Sequence, residues 1–252
     1  MDFVWFYRYD CSGWRKFGVF NELEYSIKSV KQNVKDARCF VVGDEPPIDD
    51  DSVIWIPGPP RIDVGSPGEK AHQDKLQKFV EIANHPDIGD EFVTMWDDVF
   101  ILKPTTVDDL KIAWAKAEIT DLDEYINSPI RTGDRSYKKL WRSTYEFAKM
   151  ICDSGSRKTY DWESHTPRYF EKEKLRVLLN KWDLKANPRL VTGMYACYHA
   201  ENTQIITPEV QSDLWTHKPF MDFTKLLDVQ YLNIYDDVIV PDFIDRMKEL
   251  LD

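Results

Sequence analysis

The chain has 252 residues, of which 42% are hydrophobic, and this is enough for one α/β domain with a substantial core. Its 44 acidic and 33 basic side chains give a formal net charge of −11, which excludes a broad electrostatic attraction to nucleic acid or anionic membranes. No stretch approaches the roughly 18 apolar residues of a membrane span, and the four cysteines lack the spacing of a zinc site or a disulfide framework. We therefore expect a soluble cytoplasmic protein with reduced thiols.

Hydrophobic patterning predicts alternating strands and helices in the first hundred residues. The predicted strands are Phe3–Tyr9, Arg38–Gly43, Val53–Ile56 and Glu91–Trp96. The predicted helices are Leu23–Val34, which Asn21 and Glu24 open as a capping box, and Ala71–Ala83. Between them, the Pro/Gly-rich segment Pro57–Gly68 is expected to be a loop that closes over a cleft.

The second half of the chain has more helical periodicity. The predicted helices are Tyr137–Ile151, Pro167–Leu179 and Phe243–Leu250, and the predicted strands are Leu190–Thr192, Gln204–Ile206 and Val238–Val240. We expect an α/β fold with a mixed sheet flanked by helices. Residues 1–115 and residues 116–252, the second of which is richer in helices, are expected to be two parts of the same domain.

The sharpest local signal is the pair Asp97-Asp98, which directly follows an apolar strand. In open α/β sheets, ligands bind beyond the carboxyl ends of the strands. Two carboxylates there can hold a hard divalent cation that bridges the phosphates of a nucleotide. The alternative is a solvated acidic turn, which is the more common reading of an isolated Asp-Asp pair.

Three segments together resemble the glycosyltransferase A superfamily: Asn21–Val30, Phe40–Asp44 and Trp96–Phe100. Within it, their order resembles the Stealth-type sugar-phosphate transferases and related transferases encoded by bacteriophages. The resemblance implies a GT-A-like (Rossmann-like) fold, a nucleotide-diphospho-sugar donor and a divalent metal, Mn²⁺ or Mg²⁺. The implied acceptor is a hydroxyl group on a glycan or, as in phages, on a hydroxymethylated DNA base. On this resemblance, residues 1–115 are expected to be the nucleotide-sugar-binding part and residues 116–252 the acceptor-binding part of the same domain.

The resemblance also implies roles for Asp97 and Asp98, which we call the acid pair. Asp98 is expected to bind the metal directly, while Asp97 reaches the ribose or a metal-bound water. A histidine from the second half often completes the metal shell, and the candidates are His165 and His199. We assign His199 to the metal and place His165 in the catalytic group, although a lone histidine is more often structural.

A cluster of titratable residues precedes Pro167 and includes Asp161, Glu163 and His165. Such a cluster suits the deprotonation of an acceptor hydroxyl, and we expect Glu163 to be the base. The alternative is that these acidic residues only cap the predicted helix.

Donor contacts are predicted from position at the strand ends. Tyr7 and Arg8 end the first strand and Asp44 follows the second, so these three are expected near the base and ribose. Lys70, Asp74 and Lys75 follow the loop and are expected near the diphosphate and sugar; for the lysines, an exposed helix face is the alternative.

The leading hypothesis is metal-dependent transfer of a hexose or pentose from a nucleotide sugar to a hydroxyl group. A Stealth-type phosphotransferase would instead pass on the sugar phosphate and release a nucleoside monophosphate. An inactive nucleotide- or carbohydrate-binding module is the alternative from another class, because Trp96 stands where the resembled family usually has Asn or Asp.

Overall fold

The structure is a computed structural model of the 252-residue chain, and it describes residues 1–9, 18, 20–60, 65–128, 135–155, 157–214, 222–235 and 238–252. The strands are β1 (Asp2–Tyr7), β2 (Arg38–Gly43), β3 (Val53–Pro57), β4 (Glu91–Met95), β5 (Val99–Ile101), β6 (Ala113–Ala115), β7 (Arg168–Glu171), β8 (Thr203–Ile205), β9 (Gln211–Leu214) and β10 (Tyr231–Ile234). The helices are α1 (Glu22–Asn33), α2 (Pro67–Asn84), α3 (Val107–Leu110), α4 (Leu122–Asn127), α5 (Arg135–Ser154), α6 (Lys172–Lys181), α7 (Val191–His199), α8 (Phe223–Leu226) and α9 (Pro241–Leu251).

The main sheet has five strands in the order β3-β2-β1-β4-β7. The first four are parallel, and β7 pairs antiparallel with β4. The order 3-2-1-4 is that of a Rossmann-like sheet, in which the order of the strands reverses between the parallel neighbours β1 and β4. The predicted α/β fold with a mixed sheet flanked by helices is therefore confirmed.

Strand β1 lies at the centre of this sheet and is buried on both faces. Phe3, Trp5 and Tyr7 pack toward α1, while Val4 and Phe6 pack with α2 on the other face. Burial on both faces is the reason that a central parallel strand reads as a continuous apolar run instead of an alternating one.

Helix α1 begins as the sequence predicts, because the Asn21 side chain accepts a hydrogen bond from the Glu24 backbone N–H. Its Ser26 hydroxyl accepts a 2.8 Å hydrogen bond from Trp5 Nε1 and donates to the Val99 carbonyl. This one helix thereby ties the central strand to the residue that follows the acid pair.

Three elements of the second half differ from the prediction. Pro167 precedes strand β7 instead of a helix, because Phe170 is buried against Phe92 of β4 with ring centroids 5.5 Å apart. The segment Leu190–Thr192 leads into helix α7 instead of forming a strand. It is buried on nearly all sides, and such a short apolar run shows no period that separates helix from strand. Residues Val238–Val240 do not form the predicted strand; the strand in this part of the chain is β10, at Tyr231–Ile234.

A second, three-stranded sheet has the order β5-β10-β9. Strand β10 pairs antiparallel with β5, and Asn233 lies opposite Val99. The Ile234 N–H donates a 3.1 Å hydrogen bond to the Asp98 carbonyl, so β10 holds the backbone of the acid pair.

Within the described ranges, no helix combines the length and the apolar composition needed to cross a bilayer. The proposed loop Pro57–Gly68 includes residues 61–64, which lie outside the described residues.

Candidate active site

A cavity of about 280 Å³ lies at the carboxyl ends of β1 and β4, where the Rossmann-like sheet reverses its strand order. We name it the acid-pair cavity. Its lining residues are Phe6, Arg8, Ala71, Asp74, Lys75, Lys78, Trp96, Asp97, Asp98 and His165. The position is the one at which open α/β sheets bind their ligands.

The acid pair forms the turn between β4 and β5. The Val99 N–H donates back to the Trp96 carbonyl at 3.2 Å, so the chain reverses tightly around Asp97 and Asp98. Burial, followed by the negative charges of Asp97 and Glu22, raises the pKa of Asp98 well above its ordinary value of 3.8. A divalent cation would relieve the repulsion between these carboxylates.

A buried ion-pair network borders the cavity beside the acid pair. Arg8 donates to Asp74 through Nε at 2.7 Å, to Asp44 at 2.9 Å and to the Pro59 carbonyl at 3.1 Å. Lys78 donates to the second Asp74 oxygen at 2.8 Å and to the Tyr7 carbonyl at 3.3 Å. Burial tends to raise the pKa of Asp74, but hydrogen bonds and charge from Arg8 and Lys78 lower it below its ordinary value of 3.8.

This network depends on a close approach of two strand ends. Gly43 ends β2 with φ of 132°, and a Cβ atom there would lie 2.1 Å from the Tyr7 carbonyl oxygen. Gly58 follows β3, and its N–H donates to the Gly43 carbonyl at 2.9 Å. Two glycines therefore allow Asp44 and Pro59 to converge on the guanidinium of Arg8.

Lys75 lines the same cavity as the acid pair and remains available to a ligand. Its ammonium lies 4.3 Å from the centre of the Trp96 ring, and within the described part of the chain it has no hydrogen bond or ion pair. Burial lowers the pKa of Lys75, while the charges of Glu163 and Asp98 act in the opposite direction. A phosphate group bound between the acid pair and Lys75 would give the Lys75 ammonium an anionic hydrogen-bond partner.

His165 lines the same cavity as the acid pair. Its Nδ1 lies 3.0 Å from the side-chain oxygen of Asn233, and its ring stacks on that of Tyr235 with centroids 6.2 Å apart and an interplanar angle of 24°. Burial and the charge of Lys116 lower the pKa of His165 to about 3, so the imidazole is neutral at physiological pH. A neutral imidazole is the form that binds a metal or accepts a proton.

Glu163 borders a smaller neighbouring cavity of about 30 Å³, which shares Ala71, Lys75 and Trp96 with the acid-pair cavity. The Thr192 hydroxyl donates to Glu163 Oε1. The guanidinium of Arg168 donates to the carbonyls of Trp162 and Ser164, on either side of Glu163 in the chain. These contacts hold Glu163 at the smaller cavity, and Lys75 lines both this cavity and the acid-pair cavity.

Asp161 occupies a different environment from Glu163. It is fully buried, and its two carboxylate oxygens accept hydrogen bonds from the hydroxyls of Tyr125 and Tyr145. It also accepts from the Glu163 N–H at 3.0 Å. The alternative reading of these acidic residues as a helix cap is wrong, since the segment leads into strand β7. The contacts of Asp161 are those of a residue that orders the Glu163 segment.

His199 lies away from the acid pair. It lines a separate cavity of about 330 Å³ together with Glu91, Trp162 and Arg168, and its ring centre is 4.8 Å from that of Tyr195. The strand predicted at Leu190–Thr192 is replaced by helix α7, Val191–His199, and His199 is the last residue of this helix.

Two donor-site predictions also differ from the observed placement. The side chain of Tyr7 is buried in the core with α1, and its backbone carbonyl accepts a hydrogen bond from Lys78 of the ion-pair network. Lys70 lies in the first turns of α2, outside the set of residues that line the acid-pair cavity.

No protein-family model matches the chain, and no curated protein is similar to it in sequence. Among solved structures, it is similar to LgtC. An active-site mutant of LgtC has a TM-score of 0.49 and 10% identity, covering 99% of this chain and 95% of that chain. The galactosyltransferase LgtC in complex with donor and acceptor sugar analogues has a TM-score of 0.48 and 10% identity, covering 100% and 95%. A similarity of this extent assigns no activity to this chain.

The acid pair suits a cation whose coordination is completed by a substrate. In the described residues, no group of three His, Cys, Asp or Glu side chains has the arrangement of a metal site. Magnesium-like cations commonly bind one or two carboxylates and take further oxygen ligands from water and substrate phosphates. Asp97 and Asp98 fit that donor set, and His165 is the additional candidate at the same cavity.

Several residues of the site carry no local signal in the sequence. Asn233 contacts His165 across 68 positions of the chain, and Thr192 reaches Glu163 across 29. Lys78 is the exception, since it lies four residues after Asp74 on one helix and this spacing predicts an ion pair.

Proposed function

We propose that this protein is a glycosyltransferase that moves a sugar from a nucleotide-diphospho-sugar to a hydroxyl acceptor with the help of Mn²⁺ or Mg²⁺. The observation that carries the proposal is the arrangement at the strand-order reversal. There, two adjacent carboxylates and a lysine without an ion-pair partner among the described residues line one cavity. Opposite charges placed in this way match a diphosphate bound through a cation.

In this proposal Asp98 and Asp97 hold the cation, and His165 is the candidate for a further ligand. When bound, the cation neutralises the charge that develops on the departing diphosphate. Lys75 contacts the diphosphate oxygens directly, and the face of Trp96 holds its ammonium in place. Trp96 therefore has a role of its own in the cavity, and its presence before the acid pair is compatible with an active enzyme.

The proposed base is Glu163, which lines the smaller cavity that shares Lys75 and Trp96 with the acid-pair cavity. It would accept the proton of the acceptor hydroxyl while the acceptor oxygen bonds to the anomeric carbon of the sugar and the bond from that carbon to the diphosphate oxygen breaks. The Thr192 hydroxyl orients the Glu163 carboxylate. Asp161 holds the Glu163 backbone, so its contribution is to positioning.

The acceptor in this proposal is a hydroxyl on a glycan or on a hydroxymethylated DNA base, as the resemblance to Stealth-type and phage transferases suggests. The net charge of −11 favours a glycan, because binding DNA requires a local basic surface. The same cavity would also suit transfer of the sugar phosphate, so the products must decide between the two reactions.

The experiment is a thermal-shift screen of nucleotide sugars with and without Mn²⁺, followed by product analysis with the sugar that stabilises the fold most. A nucleoside diphosphate product supports glycosyl transfer, and a nucleoside monophosphate supports phosphotransfer. Metal-dependent binding without turnover or donor hydrolysis would indicate a binding module.

The matched variants are Asp98→Asn and, as a control, Asp245→Asn on the exposed face of α9. We expect Asp98→Asn to abolish metal-dependent binding and turnover and the control to behave as the wild type. Wild-type turnover of Asp98→Asn at saturating Mn²⁺ would refute the proposed site.

A further inference from the structure

We propose that Asn233 is a positioning residue that fixes the tautomer and orientation of His165, leaving Nε2 as the ring nitrogen available to the acid-pair cavity. The expected consequence, tighter binding of a cation, rests on the proposed function. The structural content of the inference can be tested on the protein without any ligand.

A hydrogen bond joins the side chains of His165 and Asn233. His165 Nδ1 and Asn233 Oδ1 are 3.0 Å apart. An amide oxygen can only accept, so the proton of the neutral imidazole must be on Nδ1. Nε2 then carries the lone pair, which is the state a metal-binding histidine needs.

The side chain of Asn233 lies in the protein core. Asn233 is fully buried, and an amide placed in a protein core costs free energy unless it forms hydrogen bonds. Asp213 lies opposite Asn233 on the neighbouring strand β9. The amide nitrogen of Asn233 interacts with Asp213 but forms no hydrogen bond of normal geometry with it. The bond to His165 satisfies the oxygen of this buried amide.

Strand β10, which carries Asn233, also holds the backbone of the acid pair. Asn233 lies opposite Val99, and the next residue, Ile234, donates its N–H to the Asp98 carbonyl at 3.1 Å. The backbone of His165 is held as well, because Gln211 donates to its carbonyl at 2.8 Å. Strand β10 thus sets the imidazole and the carboxylates at one cavity through two adjacent residues.

The first measurement is the histidine tautomer in the wild-type protein, read from long-range ¹H–¹⁵N correlations at neutral pH. The His165→Gln variant assigns the signal among the five histidines. We expect neutral His165 with its proton on Nδ1. A proton on Nε2, or a doubly protonated ring, would overturn the inference without any need for an Asn233 variant.

The second measurement is the binding of Mn²⁺ alone, followed by the electron paramagnetic resonance signal of the free ion. Asn233→Leu has a similar volume but cannot accept the hydrogen bond, and we expect it to weaken Mn²⁺ binding by about 10- to 100-fold. Asn233→Asp keeps an acceptor at the same atom and should retain the Nδ1–H tautomer and the affinity for Mn²⁺. Thermal unfolding of both variants checks that the fold persists.

Asp98→Asn separates this inference from the proposed function. If Asp98→Asn loses Mn²⁺ while Asn233→Leu binds it as the wild type does, the positioning role is wrong and the cation site stands. If Asp98→Asn binds Mn²⁺ normally, the cation site is wrong, and the tautomer of His165 in Asn233→Leu and Asn233→Asp still decides whether Asn233 orients the ring.

Discussion

Two lysines on helix α2 provide a direct test of which buried charges serve the fold and which serve a ligand. Lys78 donates to Asp74 at 2.8 Å, whereas Lys75 has no ion pair among the described residues and lies over Trp96. The perturbation is the same at both positions, a change to Met, which keeps the length and apolar character of the side chain and removes the charge.

The expected effects on stability differ between the two variants. Breaking a buried pair by removing one partner costs about 3–5 kcal/mol. For Lys78→Met we expect the low end, about 3 kcal/mol, because Asp74 keeps its bonds to Arg8. In a chain of this size that corresponds to a fall in Tm of roughly 6–12 °C. Lys75→Met leaves no partner unpaired and removes a buried ammonium, so its Tm should be unchanged or higher.

The expected effects on binding are reversed. A hydrogen bond to a charged group contributes about 1.5–3 kcal/mol, so losing the contact between Lys75 and a diphosphate should weaken binding by roughly 10- to 150-fold. The assay is calorimetric titration with UDP, GDP, ADP and CDP in Mn²⁺, with urea unfolding of each variant. If Lys75→Met is destabilised like Lys78→Met and binds every diphosphate as the wild type does, Lys75 is a structural residue and the reasoning fails.

Three further predictions concern the base, the ion-pair network and the sheet. Glu163→Gln should lower transfer by about 100-fold while donor affinity measured by titration stays constant, and normal transfer would exclude Glu163 as the base. Asp74→Asn should lower stability at pH 7 by about 3 kcal/mol. Because the folded-state pKa of Asp74 is depressed, its contribution is present above the ordinary value of 3.8 and is lost as the pH falls below it, so urea unfolding of wild type and variant should converge in acid. Phe170→Ala should cost about 3–5 kcal/mol, measured by urea unfolding, and a cost below 1 kcal/mol would contradict its burial between β4 and α7.

The sequence predicts the first half of the fold well, for a physical reason. Strands β1 to β4 and helix α1 carry strong local signals, namely continuous apolar runs, one amphipathic stripe and one cap. The acid pair is found in the same way, because it directly ends an apolar strand. Local sequence and final structure agree in these elements, so no tertiary contact needs to be known.

The second half is harder because tertiary contacts override local preference. Strand β7 forms from a segment that reads as a helix, since its pairing with β4 and the burial of Phe170 outweigh the helical pattern. The placement of His165 beside the acid pair, and of His199 away from it, depends on how β10 and α7 fold. Neither is visible in the spacing of residues along the chain.

The antiparallel strand β7 also determines how this chain can be divided. It comes from the second half, yet it covers the edge of β4, and β10 does the same for β5. A fragment ending near residue 115 would leave the backbone of β4 unpaired on one side and would expose Phe92, which is otherwise fully buried. Unpaired apolar edges attract strands of other molecules. Expression of the first half alone should therefore yield aggregates, so mutational work should use both halves together.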